Sequence, residues 1–421
     1  MKFSSWADRI NNEVGIINLM KDLGNAPTIS GDRPLYMLGG GNPAHIPKIK
    51  EYFHGQMERI LQTPDEFERL VGDYAGPQGS ARFVAALADL LKANFGWNIG
   101  PENIAISNGS QMAFTVIFRL LSGKYPDGEP RQVLLPMTPE YIGYNEADEA
   151  ESRFRSIRPN IVKTSQQTFK YEIDFANIEI SDEVSAICIS RPTNPTGNVV
   201  TDDEVTQLMA LADKHEIPLI VDGAYGLPFP SIVFCDATVQ WNENVVLVLS
   251  LSKLGLPGTR TGIIIAKPEL IELFTCANAI MTLASGNFGS FLALQCVEDG
   301  KILELSRKII RPFYRNALND TVSSIRAYFA GLPYMLHEPE GAFFVWLWFP
   351  GLPISDDELY VRLKRRDVYV VPGNFFFPGL EGEWAHRHEC IRISYAGRRD
   401  VVDRGLRIIA EEVRLAYRES G

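Results

Sequence analysis

The sequence predicts an α/β protein: a mainly parallel sheet with helices on both faces, followed by a smaller α+β unit. Three observations lead there. Short, uninterrupted apolar runs such as Ile104 to Ser107, Ile187 to Ser190 and Val245 to Leu249 lack the in-out alternation of a sheet with one wet face, so both faces must be buried. Helical stretches separate these runs, which is the alternation that yields parallel strands. After Pro312 the texture changes to longer helices and an aromatic strand, Ala342 to Trp348. The expected division is a large unit over 46–311, with 1–45 and 312–421 forming an N-terminal arm and a small C-terminal unit.

In chain order, Ser5 is placed to cap a helix beginning near Trp6, and Pro27, Gly31 and Pro34 then break the chain. Leu35 to Leu38 reads as a short strand. The Gly39-Gly40-Gly41-Asn42-Pro43 run after it is neither GxGxxG nor a P-loop; its glycines permit close approach to backbone. Residues 48–71 read as one helical stretch, and Asp73 to Gly79 as a turn-rich loop carrying Tyr74. Ser80 is placed to cap a helix whose inward face is Phe83, Val84, Leu87 and Leu91.

The alternating region begins at the strand Ile104 to Ser107, where Asn108-Gly109-Ser110-Gln111 turns into a helix ending near Leu121. Gln132 to Pro136 is the next strand. Ile187 to Ser190 runs into Arg191-Pro192-Thr193-Asn194-Pro195-Thr196-Gly197, and Thr201-Asp202-Asp203-Glu204 is a capping box opening a helix. Pro218 to Val221 runs into Asp222-Gly223-Ala224-Tyr225. Val245 to Leu249 leads through Ser250, Leu251 and Ser252 to Lys253, and the turn-rich Gly255 to Arg260 cannot continue a strand. Gly262 to Ala266 is the last strand of this region. Beyond it come helices over Asn316 to Phe329, Asp356 to Arg366 and from Asp400 onward, and strands over Val368 to Val371 and Glu389 to Ser394, the latter containing Arg392.

Composition excludes several classes. A net charge of -11 argues against a nucleic-acid partner, which demands a basic face. No apolar run approaches the ~18 residues of a membrane span. Asp8, Arg9 and Glu13 stand where an export signal needs an apolar core. Five cysteines without a CxxC pair fit reduced thiols in a cytoplasmic protein. On a strand His386, His388 and Cys390 would share one face, but their spacing matches no zinc pattern, so no metal is expected.

The informative feature is where polar residues fall. Asn108 to Gln111, Asn194, Asp222 with Tyr225, and Ser250 with Lys253 each follow the carboxyl end of a predicted strand. In an open parallel sheet those ends face one ligand crevice. Alone, a strand-end lysine is a solvent-facing residue and Asp222 an ordinary turn residue; a common crevice gives them joint work. Each has a role toward pyridoxal 5′-phosphate: Lys253 as the amine that joins the aldehyde, Asp222 as the partner of the pyridine nitrogen, and Asn194 and Tyr225 as donors to the ring oxygen. Gly109, Ser110 and Gln111 open a helix whose N-terminus suits a phosphate, completed by Ser250 and Arg260, with Ser252 flanking. Tyr141 is placed to stack on the ring. Arg392 is the candidate bidentate clamp for a substrate carboxylate.

Asn194-Pro195-Thr196-Gly197, Asp222-x-x-Tyr225 and Ser250-x-Ser252-Lys253-(x)3-Pro257-Gly258-x-Arg260, in this order, resemble the signature of the fold-type I, class I/II aminotransferases, and the likeness runs from the Gly39 loop to Arg392. The resemblance implies a seven-stranded sheet, transamination between an amino acid and a 2-oxo acid, and a homodimer with its sites at the subunit interface. It implies that Tyr74 reaches the cofactor phosphate of the neighbouring subunit, that the Gly41 backbone lies by the substrate carboxylate, and that Lys253 also serves as the proton-moving base. Relatives specific for dicarboxylates carry a second arginine after the lysine strand. Here Cys276 to Gly300 contains no Arg or Lys, which favours small apolar substrates such as alanine and valine. Phe343, Phe344 and Trp346 are candidates for an apolar pocket wall, although such an aromatic strand is more often plain core. The motifs leave open an elimination on the same cofactor. A DNA-binding regulator built on this fold is disfavoured by the acidic charge and by the short stretch of ~45 residues before it, and a nucleotide-binding enzyme by the absent phosphate fingerprint.

Overall fold

The apolar strands sort their side chains into two cores, one on each face of a central sheet. Along Val245–Ser250, Val245, Leu247 and Leu249 enter one core while Val246 and Val248 enter the other. The same alternation holds for Ile187 and Ile189 against Ala186 and Cys188. One face is covered by the helix Ser110–Leu121, through Phe114, Ile117 and Phe118, and by Leu270 and Phe274 of Pro268–Thr282. Residues of Ala81–Phe95 and Asp202–Lys214 pack on the other.

This computed structural model describes residues 34–144 and 153–419; the helix expected near Trp6 lies outside them. The main path of the central sheet has seven strands: Ile104–Ser107, Gly262–Ile265, Val245–Ser250, Leu219–Asp222, Val184–Ser190, Pro130–Leu135 and Gly123–Lys124. An eighth, Phe154–Ser156, pairs with Pro130–Leu135 off this path. The neighbours from Val245–Ser250 to Pro130–Leu135 are parallel, whereas Gly262–Ile265 runs antiparallel to both strands beside it. Register brings the strand ends level. Ser107 faces Gly262, which faces Ser250; Val248 faces Asp222, which faces Ser190.

A second sheet runs Val371–Pro372, Cys390–Ser394, Phe344–Trp348, Met335–His337, Thr168–Glu172 and Asn160–Lys163. Its last two strands come from a hairpin inside 46–311 that the sequence reading did not identify, because Lys163, Thr164 and Ser165 beside Lys170 and Glu172 carry little apolar pattern. The chain at Tyr36–Met37 pairs with Val368–Tyr369, and Ser394 N–H donates to the Leu38 carbonyl at 2.7 Å. This seats the Gly39–Gly41 run beside Arg392.

One local expectation needs correction. The stretch 48–71 is two helices, Pro47–Gln62 and Glu66–Gly72, separated at Asp65, which takes a left-handed φ of 62°. Ala385–His388 is a 3-10 turn ahead of the strand Cys390–Ser394, so His386 is buried against Tyr171 while His388 is exposed to solvent on one side and faces Asp356. The capping box at Thr201 forms, with its hydroxyl accepting from Glu204 N–H; Ser80 occupies the N-cap position but its side chain makes no capping bond.

Candidate active site

The level strand ends border a cavity of about 200 Å³. Ser250 Oγ accepts from Ser252 N–H at 3.1 Å, which turns the chain out of the strand. The 3-10 turn Ser252–Leu254 then closes on Gly255, whose φ of 114° suits glycine alone. This turn aims Lys253 inward, and its Nζ donates to the Gly41 carbonyl at 2.7 Å. Burial, then the charges of Arg392 and Arg260, lower the lysine to about 8, with Asp222 acting the other way.

Asp222 is buried at the end of its strand. Its Oδ1 accepts from Ala224 N–H at 2.9 Å and its Oδ2 from the Tyr144 hydroxyl at 2.8 Å. Burial raises the carboxyl to about 6, opposed by these two hydrogen bonds and by Lys253. A buried carboxylate in this setting gains from a cation brought against it, such as a protonated ring nitrogen. Tyr225 and Tyr141 line the same cavity, and burial pushes both hydroxyls up, so they act as neutral donors. The Tyr225 ring stands edge-on to Phe343 and Phe344, with Lys253 Nζ 5.2 Å from its centroid.

Arg392, buried on Cys390–Ser394, donates from Nη1 to Asn194 Oδ1 and from Nη2 to the Gly39 carbonyl, each at 2.7 Å. Its guanidinium lies over the Phe344 ring, 4.3 Å from the centroid. Its Nε is buried without a hydrogen-bond partner among the described residues. Burial lowers the guanidinium to about 10, which is the signature of a cation held in place without a carboxylate. At the other end Arg260 packs on Gly109, where an added Cβ would stand 2.5 Å from Nη2. Ser110 and Gln111, at the start of Ser110–Leu121, and the hydroxyls of Ser250 and Ser252 complete a border suited to a phosphate.

The fold therefore unites Ser110, Gln111, Tyr141, Asn194, Asp222 and Tyr225 with Gly41, Ser250, Ser252, Lys253, Arg260 and Arg392. Gly109 sits behind the wall against Arg260. Tyr74 is 84 % exposed and outside the cavity of the single chain. Phe343, Phe344 and Trp346 are fully buried core that backs Tyr225 and Arg392 and does not form the cavity wall, so of the two readings of this aromatic strand it is the plain core and not the pocket wall. Sequence reading missed Tyr144, Glu140, Ser190 and the Gly39 carbonyl. Tyr144 had a legible signal: it stands three residues after Tyr141, on the same side of a helical turn, and Ile142–Tyr144 is such a turn.

These observations fit pyridoxal phosphate: a low-pKa amine, a buried acid on two donors, a cationic cradle that a Cβ at Gly109 would fill, and an arginine whose buried Nε is unpartnered. The family model for aminotransferase class I and II matches residues 52–409. The valine–pyruvate aminotransferase of Escherichia coli (strain K12) is 45 % identical over 420 residues, covering 100 % of both chains. The crystal structure of valine-pyruvate aminotransferase AvtA from Salmonella typhimurium LT2 superposes with a TM-score of 0.88 at 44 % identity, covering 96 % of this chain and 100 % of that one. A multiple substrate aminotransferase from Thermococcus profundus, at 20 % identity and a TM-score of 0.78 over 99 % of this chain and 98 % of that one, shares the fold. The chain thus belongs to the class I and II aminotransferases, enzymes that depend on pyridoxal phosphate.

Proposed function

We propose that this aminotransferase moves the amino group of valine to pyruvate, giving 3-methyl-2-oxobutanoate and alanine. The observation that carries the substrate class is the cation inventory of the cavity. Its lining cations are Lys253, Arg260 and Arg392. Lys253 is the amine and Arg260 belongs to the phosphate border, so among the described residues Arg392 alone remains for a carboxylate. A substrate with a second carboxylate would bury it without a partner, at a cost of several kcal/mol. The likeness to the two valine–pyruvate enzymes supports valine among the apolar donors.

Pyridoxal phosphate, when bound, supplies an aldehyde to take the amino group and a ring that draws electrons from the bonds at the substrate α-carbon. The chain's residues do the rest. Ser110, Gln111, Ser250, Ser252 and Arg260 bind the phosphate. Asp222 holds the proton on the ring nitrogen. Asn194 spends its carbonyl oxygen on Arg392, which leaves its amide hydrogens for the ring oxygen, with Tyr225 as second donor. Arg392 orients the substrate carboxylate with the backbone at Gly41 beside it, and Tyr141 bounds the ring face. Lys253 moves the proton at the substrate α-carbon.

We further infer a homodimer, with 46–311 as the cofactor-binding unit apart from the hairpin that joins the second sheet, and a cytoplasmic setting supported by five free thiols. Tyr74 and Ile280 are 84 % and 86 % exposed, and Leu273 and Leu283 are also largely open. Asn287 and Asn278 side chains donate to the Asp73 and Pro77 carbonyls, which holds the Tyr74 loop beside this apolar surface. A second copy covering it would explain both exposures. Ile280→Glu is expected to shift the sedimenting species toward monomer; an unchanged mass would argue against this face.

A panel of amino donors against pyruvate tests the activity. Valine is expected to lead, and aspartate with 2-oxoglutarate to be poor. If the dicarboxylate pair outperforms valine and pyruvate, the substrate assignment fails. Ketoacid release without any acceptor would instead indicate elimination.

A further inference from the structure

Glu140 is fully buried behind the cavity wall, does not line it, and has no part in the chemistry above, yet three site-bearing segments meet on it. Ser190 N–H donates to its Oε1 at 2.9 Å, and its Oε2 shares a short hydrogen bond with the Ser190 hydroxyl. Ser190 stands opposite Asp222 in the sheet and opens the loop that ends at Asn194. The Tyr141 N–H reaches Oε2 at 3.3 Å, inside the turn that carries Tyr141 and Tyr144. The Glu140 backbone N–H donates to the Phe376 carbonyl at 2.8 Å, and the Phe376 ring lies 5.3 Å from the Arg392 guanidinium.

We propose that Glu140 is a positioning residue: an uncharged carboxyl that clamps the Tyr141–Tyr144 turn to Ser190 and thereby holds the Tyr144 hydroxyl on Asp222. The hydrogen-bond pattern asks for an acid. Oε1 accepts from the Ser190 N–H, while Oε2 meets the longer contact from the Tyr141 N–H and the Ser190 hydroxyl, which can either give or take a proton. Burial raises the carboxyl to about 8, and the charge of Asp222 pushes the same way against the hydrogen bonds from Ser190 and Tyr141. A second full carboxylate behind Asp222 would repel its charge. An acid there ties the strand end down without adding charge beneath the ring nitrogen.

The inference rests on the reading that the cavity holds pyridoxal phosphate, and its test keeps the two apart. Wild-type holoenzyme must carry the cofactor absorbance band; its absence would sink that reading and leave nothing to clamp. Given the band, cofactor retention is measured by dissociation from the holoenzyme for Glu140→Gln, Glu140→Ala, Tyr144→Phe and the double variant Glu140→Ala/Tyr144→Phe. Glutamine reproduces the neutral acceptor-donor pair, so retention should stay within about threefold of wild type. Glu140→Ala and Tyr144→Phe should each weaken it about tenfold, and the double variant no more than about tenfold, because both remove the same bond to Asp222. If Glu140→Ala gives no folded holoenzyme, Glu140→Asp withdraws the carboxyl from Ser190 and should weaken retention several-fold in the wild-type background but not in Tyr144→Phe. An additive double variant, or a Glu140→Ala protein that loses thermal stability with unchanged retention, would overturn the proposal. So would a Glu140→Gln protein as impaired as Glu140→Ala.

Discussion

Tyr144 donates its hydroxyl hydrogen to Asp222 Oδ2 at 2.8 Å, from a residue far away in sequence and buried in the core that covers one face of the sheet. Burial raises the tyrosine well above its usual range, so it stays a donor and favours the charged form of Asp222. Tyr144→Phe removes a hydrogen bond to a charged group, with its ring packing kept by Phe114, Phe118 and Phe154. We expect kcat/KM to fall about tenfold or somewhat more, and Asp222→Asn to fall much further. Steady-state kinetics across a donor series will measure both.

Arg392 offers a rigid fork already held by Asn194 and Gly39. Arg392→Lys keeps the charge but lacks the fork, so it is expected to lose nearly as much as Arg392→Ala, about 10²–10³-fold in kcat/KM for amino acids. Cofactor absorbance should be retained in both. Near-normal transamination by the lysine variant would remove the carboxylate role.

Lys253 has its amine near 8 in the protein stripped of cofactor, lowered chiefly by burial. The neutral amine is the form that attacks an aldehyde. Capture of pyridoxal phosphate is therefore expected to speed up about fivefold from pH 7 to 8 and less than twofold from pH 8 to 9, following the neutral fraction. Stopped-flow absorbance checks this, and a rate climbing evenly to pH 10 would contradict it. Lys253→Ala should bind no cofactor covalently.

His337 is buried with both ring nitrogens engaged: Nε2 accepts from Tyr171 N–H at 3.2 Å and Nδ1 donates to the Glu338 carbonyl at 2.9 Å. Burial first, then the nearby Lys170, lowers its pKa to about 3. A depressed folded pKa means the neutral ring favours the fold at pH values above the unfolded value near 6.5, and that contribution is lost as pH falls from there toward 3. His337→Gln should shrink the stability difference between pH 7 and pH 5 by roughly 1–2 kcal/mol, read from urea unfolding at both pH values. An unaltered difference would show that this ring does not titrate with unfolding.

Much of the site was legible because its residues sit at strand ends. The runs Ile187 to Ser190 and Val245 to Leu249 announce buried strands by apolarity, and the polar residues directly after them must then face one crevice. Asn194, Asp222, Tyr225, Ser250 and Lys253 were readable on that ground, and Arg260 and Arg392 as the arginines suited to a phosphate and a carboxylate. Glu140 and Ser190 were not, since a buried carboxyl paired with a strand-end serine 50 positions away leaves no local pattern. The hairpin Asn160–Lys163 with Thr168–Glu172 was also silent, because its exposed face is polar and its inward residues find partners only in a sheet formed by the far end of the chain.

The sequence by itself determined the apolar strands around the site, the turns that end them and the kinds of side chain those turns carry, because periodicity and turn chemistry are local. Tertiary structure decided what distance in the chain hides. It set Ser190 level with Asp222, brought Gly39 and Gly41 from the first strand to Arg392 and Lys253, and left Tyr74 outside the single-chain cavity. Register, burial and the electrostatics that follow from them depend on which elements pack together, and so the lowered pKa of Lys253 and the raised one of Asp222 belong to the fold and not to their motifs.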